Sequence, residues 1–173
     1  KEMADVLIKI SKARRNPEVP VLITGETGVG KDVVAMAIAF ESGKPLVTVD
    51  CGAVQETLAE SEFFGHVRGA FTGAHESKAG KFQLAHGGDL FLDEIGNMKR
   101  GVQDKFLRAL QSKEITPVGG SKSERVRVRI IAATNADLSA MAERGEFRRD
   151  LFERLKGIMI EVPPLRNRTC DIV

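Results

Sequence analysis

"VPVLITGETGVGKD", residues 19–32, sets three signals side by side. The apolar, β-branched run 19–25 ends at Gly25 and predicts a buried strand. "KDVVAMAIAFE", residues 31–41, carries Val34, Ala37, Ile38 and Phe40 at helical spacing. Between them, Gly25, Gly28 and Gly30 let the backbone wrap tightly, so that its amides face inward toward phosphate oxygens. The N-terminus of the following helix adds partial positive charge there, and Lys31 adds a full one aimed at the β- and γ-phosphates. The frame G-x-x-x-x-G-K also occurs in ordinary glycine turns. Its setting between a strand and a helix favours the phosphate cradle. Gly25, Glu26, Thr27, Gly28, Val29, Gly30, Lys31 and Asp32 are therefore the candidate ATP-binding residues. Asp32 stands where most such loops place Ser or Thr on Mg2+, so other groups must hold part of that ion.

Outward from this stretch, strands alternate with helices. "PLVTVD" (45–50), "DLFLDE" (89–94), "VRVRIIAATN" (126–135) and "IMIEVPP" (158–164) read as further strands, the last stopped by its prolines. "AVQETLAESEF" (53–63) and "VQDKFLRALQ" (102–111) read as helices between them. The alternation predicts an α/β fold with a five-stranded, mainly parallel sheet covered on both faces. The loops richest in glycine are 65–80 and 117–121, and no repeat or low-complexity tract appears.

The third strand supplies the groups that Asp32 leaves wanting. Leu90, Phe91 and Leu92 bury it, and Asp93 and Glu94 emerge at its carboxyl end, where ligand sites of α/β sheets lie. Asp93 suits magnesium, held through water, and Glu94 suits polarising an attacking water. Paired acids at a strand end are common solvated features, but the upstream phosphate loop gives this pair a use. Thr134 and Asn135 end the fourth strand and fit polar sensors of the γ-phosphate. "FRRDLFERL", residues 147–155, carries Arg148, Arg149 and Arg154. Such arginines can form surface pairs with Asp150 and Glu153, or reach a neighbouring subunit's nucleotide as arginine fingers.

Composition bounds the partners. The chain has 173 residues, enough for one ordinary domain, and 26 basic against 24 acidic side chains give a net charge of +2. That balance is too weak to make nucleic acid or an anionic membrane the main partner. No apolar run approaches a transmembrane helix, and no secretory signal opens the chain. Cys51 and Cys170 lack metal-ligand spacing and read as free or buried thiols in a reducing cytosol; His66, His75 and His86 read as loop or packing residues. Lys1 and the closing "CDIV" stand in mid-pattern, so the chain reads as a piece of a longer protein.

One element remains. In "GAFTGA", residues 69–74, Phe71 is the only large side chain, flanked by glycines and alanines with Thr72 beside it. An exposed aromatic on an uncharged, glycine-flanked tip suits protein contact better than phosphate contact.

With these blocks in order, the chain resembles the AAA+ ATPase domain of sigma-54-dependent transcriptional activators, the bacterial enhancer-binding proteins. "FFGHVRGAFTGA", "GGDLFLDEIG", "VRIIAATNADL" and "FRRDLFERL" carry the resemblance across nearly all of residues 1–173. It implies a three-layer, RecA-like P-loop NTPase in the bacterial cytoplasm that binds ATP and Mg2+ between the subunits of a hexameric, or heptameric, ring. An acidic residue at the position of Asp32 is usual in the family. Gly69, Ala70, Phe71, Thr72, Gly73 and Ala74 would contact sigma-54 and move with nucleotide state. The loop 118–126 would lie near them in support. Arg148 and Arg154 match the family's two trans-acting arginines. A helical lid and a DNA-binding domain are expected to follow residue 173, the latter to reach promoter DNA, and a regulatory domain to precede Lys1.

Four positions depart from the family pattern. Asp50 stands for a usual Asn that restrains the catalytic glutamate, which puts the coupling of nucleotide state to the loop in question. Val67, Asp89 and Pro117 replace a common Glu, Thr and Arg. Two other readings stay open: a different AAA+ remodelling machine, against which GAFTGA speaks, and a nucleotide-responsive module with little turnover, which Lys31, Asp93 and Glu94 disfavour.

Overall fold

The computed structural model describes residues 2–39, 45–164 and 166. Helix α1 (Glu2–Arg15) leads into β1 (Val21–Thr24), the glycine loop and α2 (Lys31–Ala39). Next come β2 (Leu46–Asp50), α3 (Ala59–Phe64), the one-turn α4 (Lys81–Leu84) and β3 (Asp89–Asp93), which ends in a 3-10 turn over Ile95–Asn97. Helix α5 (Arg100–Ser112) precedes a two-stranded antiparallel pair, β4 (Glu114–Ile115) and β5 (Glu124–Arg125). Strand β6 (Arg129–Thr134), helices α6 (Leu138–Glu143) and α7 (Arg149–Leu155), and strand β7 (Ile158–Glu161) complete the order.

The five long strands form one wholly parallel sheet in the order β2-β3-β6-β1-β7. Side-chain alternation splits its interior into two cores. Leu22, Leu90, Leu92, Ile130 and Ala132 face α3 to α7, where Phe63 meets Phe106 edge-on at 5.9 Å and Phe64 stacks on Phe82 at 5.6 Å. Val21, Ile23, Phe91, Ile131 and Ala133 face α1 and α2 through Val6, Ile10, Val34 and Ile38. The result is the expected three-layer α/β architecture, with the carboxyl ends of β1, β6 and β3 side by side.

Helix α1 went unread in the sequence, although Val6, Ile10 and Ala13 recur at helical spacing and bury a stripe. Its Arg14 also donates to the carbonyl of Ala37 at 2.9 and 2.6 Å, which ties it to the last turn of α2. The expected helix over 53–63 is cut to Ala59–Phe64. Asp50 explains the loss: its Oδ1 accepts from the amides of Gly52 at 2.8 Å and Ala53 at 3.3 Å, and so holds a turn where the helix was to begin. The helix expected over 31–41 is described to Ala39, and Phe40 and Glu41 lie outside the described residues, as does Cys170. Among the described residues no helix is long and apolar enough to cross a membrane.

Candidate nucleotide site and partner loop

Strand β1 ends at Thr24, and the chain turns back through Gly25, Gly28 and Gly30 at φ 155, 80 and 89°. At Gly28 a Cβ would have open space, so the backbone conformation alone demands glycine there. Successive turns of this kind point amides to one side and make an anion-binding concavity. Lys31 opens α2 and is 6% exposed. Its ammonium donates to the carbonyls of Gly25 and Glu26, each at 3.1 Å, and lies 3.7 Å from a Glu94 carboxylate oxygen. A buried ammonium so placed is close to the loop's mouth and only loosely neutralised, which makes it a ready partner for an anion. Asp32, in the first turn of α2, is exposed, and Val29 is buried beneath the loop.

Glu94 leaves β3 in the left-handed conformation, φ 48° and ψ 52°, which costs a side-chain-bearing residue about 1 kcal/mol. The turn brings its Oε2 within 3.4 Å of the Asn135 amide, while the Asn135 side chain donates to Thr27 Oγ1 at 2.9 Å. Glu94, Asn135, Thr27 and Lys31 thus join β3, β6 and both arms of the glycine loop. Thr134 does not line this space. It is fully buried, and its hydroxyl accepts from the Ala136 amide at 3.0 Å, so it shapes the turn instead.

Asp93 accepts from the Glu94 amide at 3.0 Å and pairs in register with Asp50 across the sheet. Burial lifts its carboxyl above the usual range, and the neighbouring Glu94 and Asp50 charges add to that; the Glu94 amide and Lys31 oppose it. The Asp50 bonds found are to its own turn rather than to Glu94. Beneath this crowd of acids, Cys51 is buried, and desolvation together with Asp50, Asp93 and Glu94 pushes its thiol up to about 12. At the rim, Arg166 grips Glu26 with two bonds of 2.8 and 2.6 Å, a pair the sequence gave no reason to expect.

Magnesium fits this donor set. Among the described residues no cluster of three or more His, Cys, Asp or Glu could cage a metal. A single carboxylate such as Asp93, completed by phosphate oxygens and water, is a common setting for Mg2+.

The arginines stand elsewhere. Arg148 is held by both oxygens of Asp150, at 2.9 and 2.7 Å, and by Asp104. Its backbone amide donates to Gln103, a fully buried side chain of α5 that also donates to the carbonyls of Met98 and Glu146. Gln103 and Asp104 carry little local signal in the sequence beyond a polar residue on the apolar face of α5. Arg149 is exposed at the start of α7. Arg154 borders a cavity of about 330 Å³ beside Pro20, Arg129 and Ile130, at the amino ends of β1 and β6. It therefore lies at the opposite end of the sheet from Lys31 and cannot serve its own loop.

Residues 69–74 do not form a free tip. The Gly69 amide donates to Ala74 at 2.8 Å and the Ala74 amide to Phe71 at 3.0 Å, Ala74 is buried, and Phe71 is only 36% exposed. The loop leaves the body through a neck where Gly65 meets Gly80: a Cβ on Gly65 would lie 2.6 Å from the Lys78 carbonyl, and one on Gly80 2.2 Å from the Gly65 nitrogen. The 118–126 loop packs against it as expected, with Val67 donating to Val118 at 3.1 Å and Gly119 directly under Ala70.

A glycine loop between β1 and α2, facing an acidic end of β3, defines a P-loop NTPase of the AAA+ kind. Within that class, residues 1–161 match the sigma-54 interaction domain, and the chain belongs to that family. Regulatory protein LuxO of Vibrio cholerae is 56% identical over 88% of this chain, and the Nif-specific regulatory protein of Azotobacter vinelandii is 52% identical over 88%. The chain spans 29% and 30% of the length of these two relatives. Among solved structures, NtrX from Brucella abortus in complex with ADP superposes with a TM-score of 0.89 at 37% identity, covering 99% of this chain and 37% of that one. Its complex with ATP gives 0.88, again at 37% identity, with 99% and 39% covered.

Proposed function

We propose that this chain is the ATP-hydrolysing domain of a transcriptional activator, one that remodels sigma-54 RNA polymerase in the bacterial cytoplasm through residues 69–74. The convergence of Lys31, Glu94 and Asn135 at one end of the sheet carries the ATPase half of this reading. Residues 25–32 cradle the phosphates and Lys31 turns its ammonium onto them. Glu94, released from Lys31 by that move, orients a water and accepts its proton. Asn135 ties this carboxylate to Thr27, so the base and the loop report on each other. Asp93 would hold magnesium through water, and the ion would supply neutralisation of phosphate charge. Thr134 supports the turn that presents Asn135.

The position of Arg154 supports action across a subunit interface, with Arg148 and Arg154 completing the site of the next protomer in a hexameric ring. Asp50, beside Asp93, adds negative charge where the family has a neutral side chain. The ATP and ADP complexes of NtrX support nucleotide as the ligand. Membership of the sigma-54 interaction domain family supports the partner.

The decisive experiment has two arms. Lys31→Ala should abolish ATP binding with the fold kept, and Phe71→Ala should keep ATP turnover while losing sigma-54 in a transition-state-analogue complex. ATP bound but never hydrolysed by the assembled protein would instead mark a nucleotide-responsive module. Sigma-54 binding that survives Phe71→Ala would remove the loop from the contact. Mixing Arg154→Ala with Glu94→Gln subunits should restore part of the activity that each lacks alone.

A further inference from the structure

We propose that His66 is a positioning residue that stows Phe71 against the base of its loop, and that engagement of a partner requires this contact to open. The proposal rests on the reading that Phe71 meets sigma-54. The imidazole ring lies 5.0 Å from the Phe71 ring at 63°, an edge-to-face arrangement that favours aromatic pairs. The imidazole is held in place from more than one side. The backbone of His66 exchanges two hydrogen bonds with Lys78, at 3.0 and 2.9 Å. On its other side it bridges to Val118, through Val118 donating to Gly65 at 2.9 Å and Val67 donating to Val118. Residue 66 is thus the central rung of three crossing segments.

The ring itself is aimed by Ser61, a buried residue of α3, whose Oγ lies 2.6 Å from Nδ1. Whichever atom donates, that bond fixes the ring plane, and the fixed plane gives Phe71 its seat. A tip aromatic without such a seat would stand in solvent beside the exposed Thr72 and Gly73. Phe71 is itself exposed, at 36%, but its ring meets that pinned imidazole rather than standing alone. Residues 51–58 connect α3 to the end of β2, where Asp50 pairs with Asp93, so the element that aims the ring is the next helix in the chain after the acidic end of the sheet.

The chain contains three histidines, so their ring-proton NMR signals are readily resolved and assigned. The His66 signals should be displaced by the Phe71 ring current and should return toward free-imidazole positions in Phe71→Leu, with His75 and His86 unmoved. In the whole protein, His66→Ala should raise nucleotide-free capture of sigma-54 by roughly two- to tenfold, the range set by the usual worth of an aromatic pair. ATP turnover should change little, and His66→Phe, which restores a ring, should bring capture back toward the original level. Signals of His66 that ignore Phe71→Leu would overturn the contact. Unchanged capture by His66→Ala, with the contact seen by NMR, would overturn its role as a restraint. If no form captures sigma-54 even with ADP and aluminium fluoride, the partner reading fails, and the NMR result still decides whether His66 seats Phe71.

Discussion

Strand β3 begins and ends in aspartate, and the two are treated in opposite ways. At its start, Asp89 is 3% exposed and binds Arg129 through both oxygens, at 2.7 and 2.9 Å, while Arg129 also donates to the Ala13 carbonyl at 2.9 Å. Every charge there has a partner of matching geometry, and the cluster ties α1, β3 and β6 together. At its end, Asp93 shares its surroundings with Glu94 and Asp50, and among the described residues the cation that offsets their charge is Lys31. One strand thus carries a saturated buried charge and, four residues on, an unsaturated one. Saturation serves the fold; the unsatisfied end holds charge in reserve for a ligand.

The largest test of this contrast is Asp89→Ala. It would leave Arg129 buried without its carboxylate, so unfolding in urea should show a loss of about 3–5 kcal/mol, as for other broken buried pairs. A loss well under 1 kcal/mol would mean that water reaches Arg129 and that the two ends differ less than their burial says.

Glu94→Gln should act in the opposite sense. Turnover should fall by at least about two decades, or about 2.7 kcal/mol in activation free energy, while urea stability holds or improves. A stability loss comparable with that of Asp89→Ala would place Glu94 among the structural charges.

Asp93→Asn sharpens the comparison further, because the amide keeps the acceptor for the Glu94 amide and removes the crowded charge. The carboxyl titrates above its ordinary value of 3.8 in the folded chain. The native state therefore binds its proton more readily than the unfolded one, and the ionised form weakens the fold. Asp93→Asn should raise Tm at neutral pH. That gain should shrink as pH falls through the raised pKa and be gone below the ordinary one. A gain that persists in acid would point to packing rather than charge.

The smallest effect concerns Cys51, beneath the same acids. With its thiol pushed up to about 12, it should resist alkylation at pH 8 in the native chain and react once the chain is unfolded, as peptide mass mapping would show. Rapid native labelling would mean that this end of the sheet opens easily.

The contrast also explains what could be read in advance. The glycine loop, the apolar strands and the acids after "DLFL" are local patterns that fell close to where their spacing put them, although the strand expected over 126–135 is shortened to Arg129–Thr134. Asp89 and Arg129 are 40 residues apart and meet only because β3 and β6 are neighbours in register, which no local pattern states. Gln103 and Asp104 look like ordinary helix residues until α7 brings Arg148 to them. Thr134 and Asn135 read alike as polar ends of a strand, and strand alternation turned one into the core and the other toward Thr27. The turn at Asp50 was hidden for a different reason: a single side-chain oxygen competes with a helical pattern that is otherwise sound.

The neck at Gly65 and Gly80 has a consequence for how this surface changes over time. The segment between the two glycines enters and leaves the body at one tight crossing. Just beyond it His66 and Lys78 tie its arms to α3 while Val67 ties to Val118, so only the tip past those rungs is loosely coupled to the layers below. Such a crossing works like the socket of a tool: the tip can change what it presents while the fitting below it stays the same. The two glycines themselves are the fixed fitting. Substitution at either would jam the crossing, so tolerance to mutation should fall sharply at residues 65 and 80 and be regained at exposed positions between them such as Glu76.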